Sequence, residues 1–337
     1  MGTAQPMAEL WRGGRLESQH LGHAAVVDGT GALVEGWGDP ATVIFPRSSC
    51  KMVQALPLVE SGAAAAAGLT DAQLGLACAS HNGAAIHTRA VEAWLAGIGR
   101  GEADLRCGAH WPGDIAARDA LIREGGQPCQ IHNNCSGKHT GFLTLTRHLG
   151  AGPEYVEIDH PVQRAVKDAF EETTGESSPG HGIDGCSAPN FACTLTGLAR
   201  AMARFAAAEA TDARGRAMVR LREAMAAHPE MVAGEGRACT DLMRAMQGVA
   251  VKTGAEAVYV AILPRQRLGI ALKVADGGTR AAELAIAELL VRAGELDPAH
   301  PAARRLRDAV QVNWRGIEVG VLRASEGFPG PRLPGKA

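Results

Sequence analysis

Three lysines in this sequence lie within three positions of serine, cysteine or glycine, where a neutral amine could take part in chemistry. The chain has 337 residues and 34 basic residues, and only six of the basic residues are lysines. Ser48 precedes Lys51 by three positions, Cys135 precedes Lys138 by the same spacing, and Lys252 opens a Lys-Thr-Gly stretch. Because an amine can lose its proton in a protein and a guanidinium cannot, these lysines indicate a site that needs easily neutralised amines.

The spacing of Ser48 and Lys51 is that of a nucleophile and its base. If a helix begins at Ser48, Lys51 lies one turn further along the same face. A lysine whose pKa is lowered can accept the serine proton, and the N-terminus of the helix would add backbone donors for a developing oxyanion. Taken alone, the spacing is more typical of ordinary helix surface, with Ser48 as an N-cap and Lys51 as a surface amine.

Two further motifs follow in chain order. Ser80-His81-Asn82 comes after a predicted helix at 71–78, and Lys252-Thr253-Gly254 comes before a predicted strand. The order Ser-x-x-Lys, Ser-x-Asn, Lys-Thr-Gly is similar to the set used by serine β-lactamases and penicillin-binding proteins. The interval between Ser48 and Ser80 is shorter than a typical β-lactamase would have, so a β-lactamase proper is not the first choice.

Cysteine and lysine also occur together in two glycine-containing segments, 133–139 and 182–189. Thiolates of Cys135 and Cys186 would bind zinc well, and a neutral Lys138 amine could add a nitrogen ligand. The alternative is that both cysteines are buried thiols and that Lys138 is an ion-pair partner.

Composition excludes several classes of function. The net charge is −2, which gives no electrostatic footprint for nucleic acid or an anionic membrane. No apolar run reaches the length of a transmembrane helix, and the first ten residues do not resemble a signal peptide. Eight scattered cysteines in a chain of this length favour free thiols or metal ligands in a reducing compartment, so we expect a cytoplasmic protein.

Strand patterns occur at both ends of the chain and helical patterns between them. We predict strands within 8–45, a helix from Ser48 to about Ser61, a helical middle, a hairpin of 257–263 and 268–274, helices at 279–293 and 302–310, and a last strand at 317–323. The predicted fold is α/β of the α+β type, with one antiparallel sheet from both chain ends and an inserted helical region. Residues 1–330 would form one catalytic domain, with a sheet part at 8–50 and 248–325, a helical part at 51–247, and a flexible tail at 326–337.

Six segments together resemble the Rhizobium-etli-type L-asparaginase family, also called asparaginase II or class 3. They span about residues 10 to 280 and are Pro46-Arg47-Ser48-Ser49-Cys50-Lys51, Ala79-Ser80-His81-Asn82-Gly83, His132-Asn133-Asn134-Cys135-Ser136-Gly137-Lys138-His139, Gly182-Ile183-Asp184-Gly185-Cys186, Gly236-Arg237 with Asp241-Leu242-Met243, and Lys252-Thr253-Gly254-Ala255-Glu256. The sequence departs from the family pattern at Thr253, Ala257 and Cys239, which leaves substrate preference open.

The resemblance implies a serine β-lactamase-like fold, a homodimer, and hydrolysis of L-asparagine to aspartate and ammonia. It implies that Ser48 is the nucleophile with Lys51 and that Ser80 with Lys252 forms a second Ser–Lys pair. It also implies one zinc ion held by Cys135, Lys138 and Cys186 near the substrate, rather than a hydrolytic metal.

A zwitterionic amino acid needs an anion for its ammonium and donors for its carboxylate. Asp184 is the first candidate for the ammonium, followed by His139 and Asn82, and Arg47 is a candidate for the carboxylate or else a scaffold ion pair. Other amidases of this fold remain open, namely a glutaminase, a β-lactamase or a D-amino-acid peptidase. Outside enzymes, a zinc-stabilised binding or redox-sensing protein is the alternative.

Overall fold

Strands from the two ends of the chain form one antiparallel sheet in a computed structural model, which describes residues 2–330. Within these residues the strands are β1 (Gln5–Arg12), β2 (Arg15–Asp28), β3 (Leu33–Trp37), β4 (Val43–Ile44), β5 (His181–Ile183), β6 (Pro189–Phe191), β7 (Cys193–Thr194), β8 (Ala250–Gly254), β9 (Val258–Leu263), β10 (Leu268–Val274), β11 (Ala309–Val312) and β12 (Glu318–Ala324). The main sheet has the order β11-β12-β1-β2-β10-β9-β8, with β3 paired to β2, while β4–β7 and β5–β6 form two small sheets.

Most helices lie between β3 and β8, as the sequence predicts. They are α1 (Lys51–Gln54), α2 (Leu56–Glu60), α3 (Ala63–Ala66), α4 (Asp71–Ala77), α5 (Ala85–Gly97), α6 (Ile115–Arg123), α7 (Ser136–His148), α8 (Pro161–Thr174), α9 (Leu195–Ala207), α10 (Ala213–Ala227), α11 (Pro229–Val232), α12 (Ala238–Ala245), α13 (Thr279–Arg292) and α14 (Pro301–Arg307). None of the helices within residues 2–330 is both long and apolar enough to cross a membrane.

The sheet is covered by helices on both faces. All six residues of β9 are buried, although successive side chains of a strand point to opposite faces. Helices α9 and α13 both pack on β9 and β10 and supply the cover. The predicted α+β fold, with its antiparallel sheet made from both ends of the chain, is therefore confirmed.

Two predicted helices differ from the structure. The segment 48–61 is not one helix: a 3₁₀ turn at Arg47–Cys50 leads into α1, and α2 follows after Ala55. Pro57 near the start of α2 has no backbone N–H, so it cannot continue the hydrogen bonds of α1. The predicted helix at 302–310 ends at Arg307, and the β-branched pair Val310 and Val312 lies in edge strand β11 instead.

The predicted tail at 326–337 lies partly outside the described residues. Within residues 326–330, Phe328 is buried, and its ring edge lies against Trp37 at a centroid distance of 5.7 Å.

Helix α7 runs through the interior and carries the cysteine–lysine motif at its first turn. Every residue from Ser136 to Thr146 is buried. The hydroxyls of Thr140, Thr144 and Thr146 donate to carbonyls one turn earlier in the same helix, at 2.8–2.9 Å. These bonds satisfy polar side chains that the interior would otherwise leave unpaired.

Two glycines allow the segments of the site to approach closely. A Cβ atom at Gly137 would collide with the carbonyl group of Leu76, so α7 packs directly against the end of α4, just before Ser80. A Cβ atom at Gly254 would lie 2.6 Å from the Pro46 carbonyl oxygen, so β8 can lie beside the 3₁₀ turn that contains Ser48. Both close approaches require a residue without a side chain.

Candidate active site

The hydroxyl of Ser80 lies between two lysine amines. Its Oγ is 3.1 Å from Nζ of Lys51 and 2.9 Å from Nζ of Lys252. Ser80 is buried just after α4, and its backbone N–H donates to the Val232 carbonyl at 2.9 Å. The structure thus brings together three of the four predicted catalytic residues in one hydrogen-bonded chain.

Lys51 is fully buried and has three acceptors. Besides Ser80, its amine contacts Sγ of Cys135 at 3.0 Å and the Ala79 carbonyl oxygen. Three acceptors match the three N–H donors of an ammonium group.

Ser48, the fourth predicted catalytic residue, lies one turn before Lys51. The two share a face, since residues three apart eclipse in a 3₁₀ helix. The Ser48 hydroxyl is half-buried and has no hydrogen-bond partner among residues 2–330. The Lys51 amine is therefore bonded to Ser80 rather than to Ser48.

Lys252 has the chemistry of a base near neutral pH. Burial and then the charge of Lys51 lower the pKa of the Lys252 amine from 10.5 to about 7. The amine also donates to the Thr253 carbonyl at 2.7 Å. A lysine with this pKa can both accept and return a proton at physiological pH.

Two cysteines and a lysine meet beside this chain. Nζ of Lys138 lies 3.1 Å from Sγ of Cys186. A hydrogen bond with Cys186 raises the pKa of Cys135 to about 12, with burial adding to it, and the same bond holds the pKa of Cys186 well below its usual value. Burial acts against the charged form of Lys138, but the Cys186 and Cys135 sulfurs raise its pKa. These directions favour one thiol and one thiolate in the pair of sulfurs, with the Lys138 amine beside them.

This donor set fits zinc in type, and binding of the ion would require the thiol and the Lys138 ammonium to lose their protons. Two sulfurs and one nitrogen meet at a buried point, and zinc prefers sulfur and nitrogen ligands. Residues 2–330 hold no group of three or more His, Cys, Asp and Glu side chains placed for a metal. The Lys138 nitrogen would therefore have to be the third ligand with Cys135 and Cys186.

The two candidates for binding a zwitterion are paired with each other. Nε and NH2 of Arg47 lie 2.9 and 2.7 Å from Oδ1 of Asp184. Burial acts to raise the pKa of Asp184, but the charges of Lys138 and Arg47 hold it below its usual value.

The backbone also fixes Arg47 in place. Arg47 has a left-handed φ of 53°, which is rare for a non-glycine residue, and its N–H donates to Oδ1 of Asn190 at 3.2 Å. Asn190 was not singled out from the sequence, because an isolated asparagine carries no local signal.

His139 and Asn82 make other contacts. Burial and then the Lys138 charge hold the pKa of His139 well below its usual value, and its Nδ1 lies 2.8 Å from the Tyr155 hydroxyl. The side-chain amide of Asn82 donates to Oδ2 of Asp114 at 3.4 Å and accepts from the Ala84 N–H at 3.3 Å. These hydrogen bonds stabilise the loop between α4 and α5. Tyr155 was missed in the sequence, although it is one of only two tyrosines in the chain.

The larger of the two described cavities lies elsewhere. It has a volume of about 540 Å³ and is lined by residues of α13, 294–298 and 329–330, none of which carries the chemistry above. A small cavity of about 10 Å³ adjoins Lys138 and Gln54, which is room for about one water molecule. The side-chain chemistry, rather than cavity size, therefore locates the candidate active site.

The sequence profile of the L-asparaginase II family matches residues 8–324. The match places the protein among the amidohydrolases. More narrowly, the chain belongs to the L-asparaginase II family. Among curated proteins no significant relative is found.

Solved structures show distant likenesses. One is to a candidate β-lactamase from Bacteroides dorei DSM 17855, with 13% identity over 76% of this chain and 87% of that one and a TM-score of 0.39. A β-lactamase from Mycobacterium bovis shares 13% identity over 78% and 89% of the two chains, with a TM-score of 0.32. An octameric penicillin-binding protein homologue from Pyrococcus abyssi shares 11% identity over 91% and 84%, with a TM-score of 0.38. These likenesses are too distant to assign a role to any residue.

Proposed function

We propose that this protein hydrolyses the side-chain amide of L-asparagine to aspartate and ammonia through a serine acyl-enzyme. The observation that carries the proposal is the Ser80 hydroxyl held between the amines of Lys51 and Lys252. Membership of the L-asparaginase II family supports the choice of substrate.

The hydrogen-bonded chain can prepare Lys51 as a base. The three acceptors around the Lys51 amine suit its protonated form, and a protonated amine cannot accept the proton of Ser48. Lys51 can pass a proton to the Ser80 oxygen while Ser80 passes its own proton to Lys252, whose pKa of about 7 leaves it free to accept. The result is a neutral Lys51 beside Ser48 and a protonated Lys252.

The same chain can then supply the acid. Ser48 Oγ attacks the amide carbon as Lys51 takes its proton, which forms a tetrahedral intermediate. Ammonia is a poor leaving group unless the amide nitrogen is protonated, and a proton from Lys252 can reach that nitrogen through Ser80. The C–N bond breaks, and water then cleaves the aspartyl ester of Ser48.

The ion pair of Arg47 and Asp184 would recognise the zwitterion. An α-carboxylate can take the Asp184 position on Arg47, while the α-ammonium can take the Arg47 position on Asp184. When the substrate binds in this way, Arg47 and Asp184 each exchange one oppositely charged partner for another, so no charge is left unpaired. This favours a substrate that carries both an α-carboxylate and an α-ammonium group. His139 and Asn82 stay further candidates for contacts with the substrate.

Zinc and assembly complete the proposal. Cys135, Lys138 and Cys186 would hold one zinc ion, which when bound would supply positive charge near the substrate. We also propose a homodimer in the cytoplasm, for which light scattering should give about twice the chain mass of 35.0 kDa.

Ammonia release from L-asparagine, L-glutamine and a β-lactam tests the function. We expect release from L-asparagine, none from the lactam, and adduct formation at Ser48 with a serine-directed covalent label. Turnover of glutamine alone or of the lactam alone would replace asparagine as the substrate. No turnover and no adduct at Ser48 would favour the zinc-stabilised binding protein.

A further inference from the structure

A buried chain of hydrogen bonds leads from the backbone at Arg106 to His139. The Arg106 N–H donates to the Tyr155 hydroxyl at 2.7 Å, and that hydroxyl lies 2.8 Å from Nδ1 of His139. Tyr155 and His139 are both fully buried, with ring centroids 5.4 Å apart and an edge-on geometry.

Counting donors and acceptors fixes the position of each proton. The Tyr155 oxygen already accepts the Arg106 N–H, so its own proton needs an acceptor, and Nδ1 of His139 is the one within reach. If Nδ1 carried the proton instead, the Tyr155 O–H would have no acceptor among residues 2–330, and Nε2 would be an unpaired acceptor as well. The arrangement with fewer unpaired groups is Tyr155 O–H donating to Nδ1, with the imidazole proton on Nε2.

The Nε2–H of His139 is then a donor without a partner. This atom is buried and has no hydrogen-bond partner among residues 2–330. The charged groups that act on the ring are those of the site, Lys138, Cys135, Lys51 and Asp184. The largest of these charges is that of Lys138, which with Lys51 favours an anionic acceptor, whereas Cys135 and Asp184 act in the opposite direction.

We propose that Tyr155 is a positioning residue that holds His139 as a neutral donor from Nε2, which binds a carboxylate oxygen of the amino-acid substrate. The inference rests on the proposed function for the identity of the ligand, but the tautomer itself does not depend on it. Both tautomers are neutral, so the assignment concerns only which nitrogen carries the proton.

Nitrogen NMR on protein labelled at histidine tests the tautomer. The signals of His139 are those that disappear in His139→Gln. We expect a protonated Nε2 in the wild type and a mixture of tautomers in Tyr155→Phe, which keeps the ring and removes the hydroxyl. Tyr259→Phe is the matched control, because it removes the buried hydroxyl of the other tyrosine, which contacts Cys239 and not His139. A wild-type ring protonated on Nδ1 would overturn the proposal.

Binding of L-aspartate, measured by calorimetry, tests the donor without turnover. The amide nitrogen of glutamine can reach the position of Nε2, whereas that of asparagine reaches only the position of Nδ1. We expect His139→Gln to bind L-aspartate almost as the wild type does, and His139→Asn and Tyr155→Phe to bind about tenfold more weakly. Tyr155→Phe should add no further loss in the His139→Gln background, since glutamine has no tautomer to fix.

The outcomes separate this inference from the proposed function. If the wild type binds L-aspartate and releases ammonia from asparagine, but Tyr155→Phe binds L-aspartate with unchanged affinity, the inference alone is overturned. If the wild type neither binds L-aspartate nor hydrolyses asparagine, the proposed function and the carboxylate assignment both fail, while the NMR result still decides the tautomer.

Discussion

The Nζ atom of Lys252 and the Oγ atom of Ser80 lie 2.9 Å apart although the residues are 172 positions apart in the sequence. Lys51 approaches the same oxygen at 3.1 Å. Ser80 is thus a junction between two amines, whereas the hydroxyl of Ser48 is free to meet a substrate. The two serines should therefore respond differently to removal of their hydroxyls.

Ser48→Ala should lower kcat for asparagine by more than about a thousandfold, because the attacking oxygen is lost. Ser80→Ala should lower it by about a hundredfold, because it interrupts proton transfer and leaves the nucleophile. Ammonia release gives both values. Thermal unfolding is the control, and Ser48→Ala should change stability by less than about 1 kcal/mol, since no hydrogen bond within residues 2–330 depends on its hydroxyl. If Ser48→Ala keeps substantial turnover, Ser80 becomes the candidate nucleophile.

Lys51→Arg should be nearly as inactive as Lys51→Ala. A guanidinium keeps the positive charge but cannot accept the serine proton near neutral pH. Circular dichroism and L-aspartate binding should show whether each variant is folded, because Lys51 is fully buried. Steady-state kinetics of a folded Lys51→Arg protein decides the question, and high activity there would mean that Lys51 acts as a fixed cation.

The value of kcat/KM for asparagine should rise with pH and show an inflection near pH 7. Below that pH Lys252 is protonated and cannot accept the proton from Ser80, since burial and the Lys51 charge bring its pKa to about 7. Burial holds the pKa values of His81 and His139 well below their usual range, so a histidine base would titrate well below pH 6.5. A pH–rate profile that is flat from about pH 6 to pH 8 would exclude the lysine relay.

Lys252 should also make stability depend on pH. The pKa of Lys252 is about 7 in the folded protein, against an ordinary value of 10.5 that applies to the unfolded chain. Between these pH values the unfolded chain therefore binds a proton on Lys252 that the folded protein does not. Stability is therefore lost as pH falls from about 10.5 to about 7. In thermal unfolding, the stability of Lys252→Met minus that of the wild type should be larger at pH 6 than at pH 9. Lys167→Met is the matched control, because that side chain is 48% exposed. Equal differences at both pH values would contradict the lowered pKa.

Cys135→Ser and Cys186→Ser should each reduce the zinc content of the purified protein, since a hydroxyl is a much poorer ligand than a thiolate. Cys193→Ser is the control, as it removes another buried free cysteine that lies outside the three-residue donor set. Elemental analysis of protein prepared without chelator gives the zinc content. Wild-type protein without metal, unchanged in activity by added zinc, would remove zinc from the proposal.

Periodicity predicted much of the fold because its elements are locally encoded. The predicted helices at 71–78 and 279–293 and the hairpin of β9 and β10 all occur where the sequence indicates them. The broken helix after Ser48 was not predicted, although Pro57 is a visible signal for it. Strand β11 was missed because its four residues follow a helix without a turn signal.

The sequence motifs predicted which residues meet, but not which atoms bond. Spacing placed Lys51 with Ser48, whereas tertiary packing places its amine on Ser80 and Cys135. The partnership of Arg47 with Asp184 and that of Tyr155 with His139 join distant segments, and no local pattern encodes such contacts. The lowered pKa of Lys252 likewise follows from burial and from a neighbouring charge, which appear only in the folded chain.

The internal hydrogen bonds of α7 have a consequence for how the protein loses activity. Its backbone is buried from Ser136 to Thr146, so its amides should exchange with deuterium only when the whole cooperative unit opens. The cysteine–lysine motif lies at the first turn of this helix, and Lys51 is bonded to it through Cys135. Heating should therefore abolish catalysis and tertiary structure in one transition, with no folded but inactive species in between.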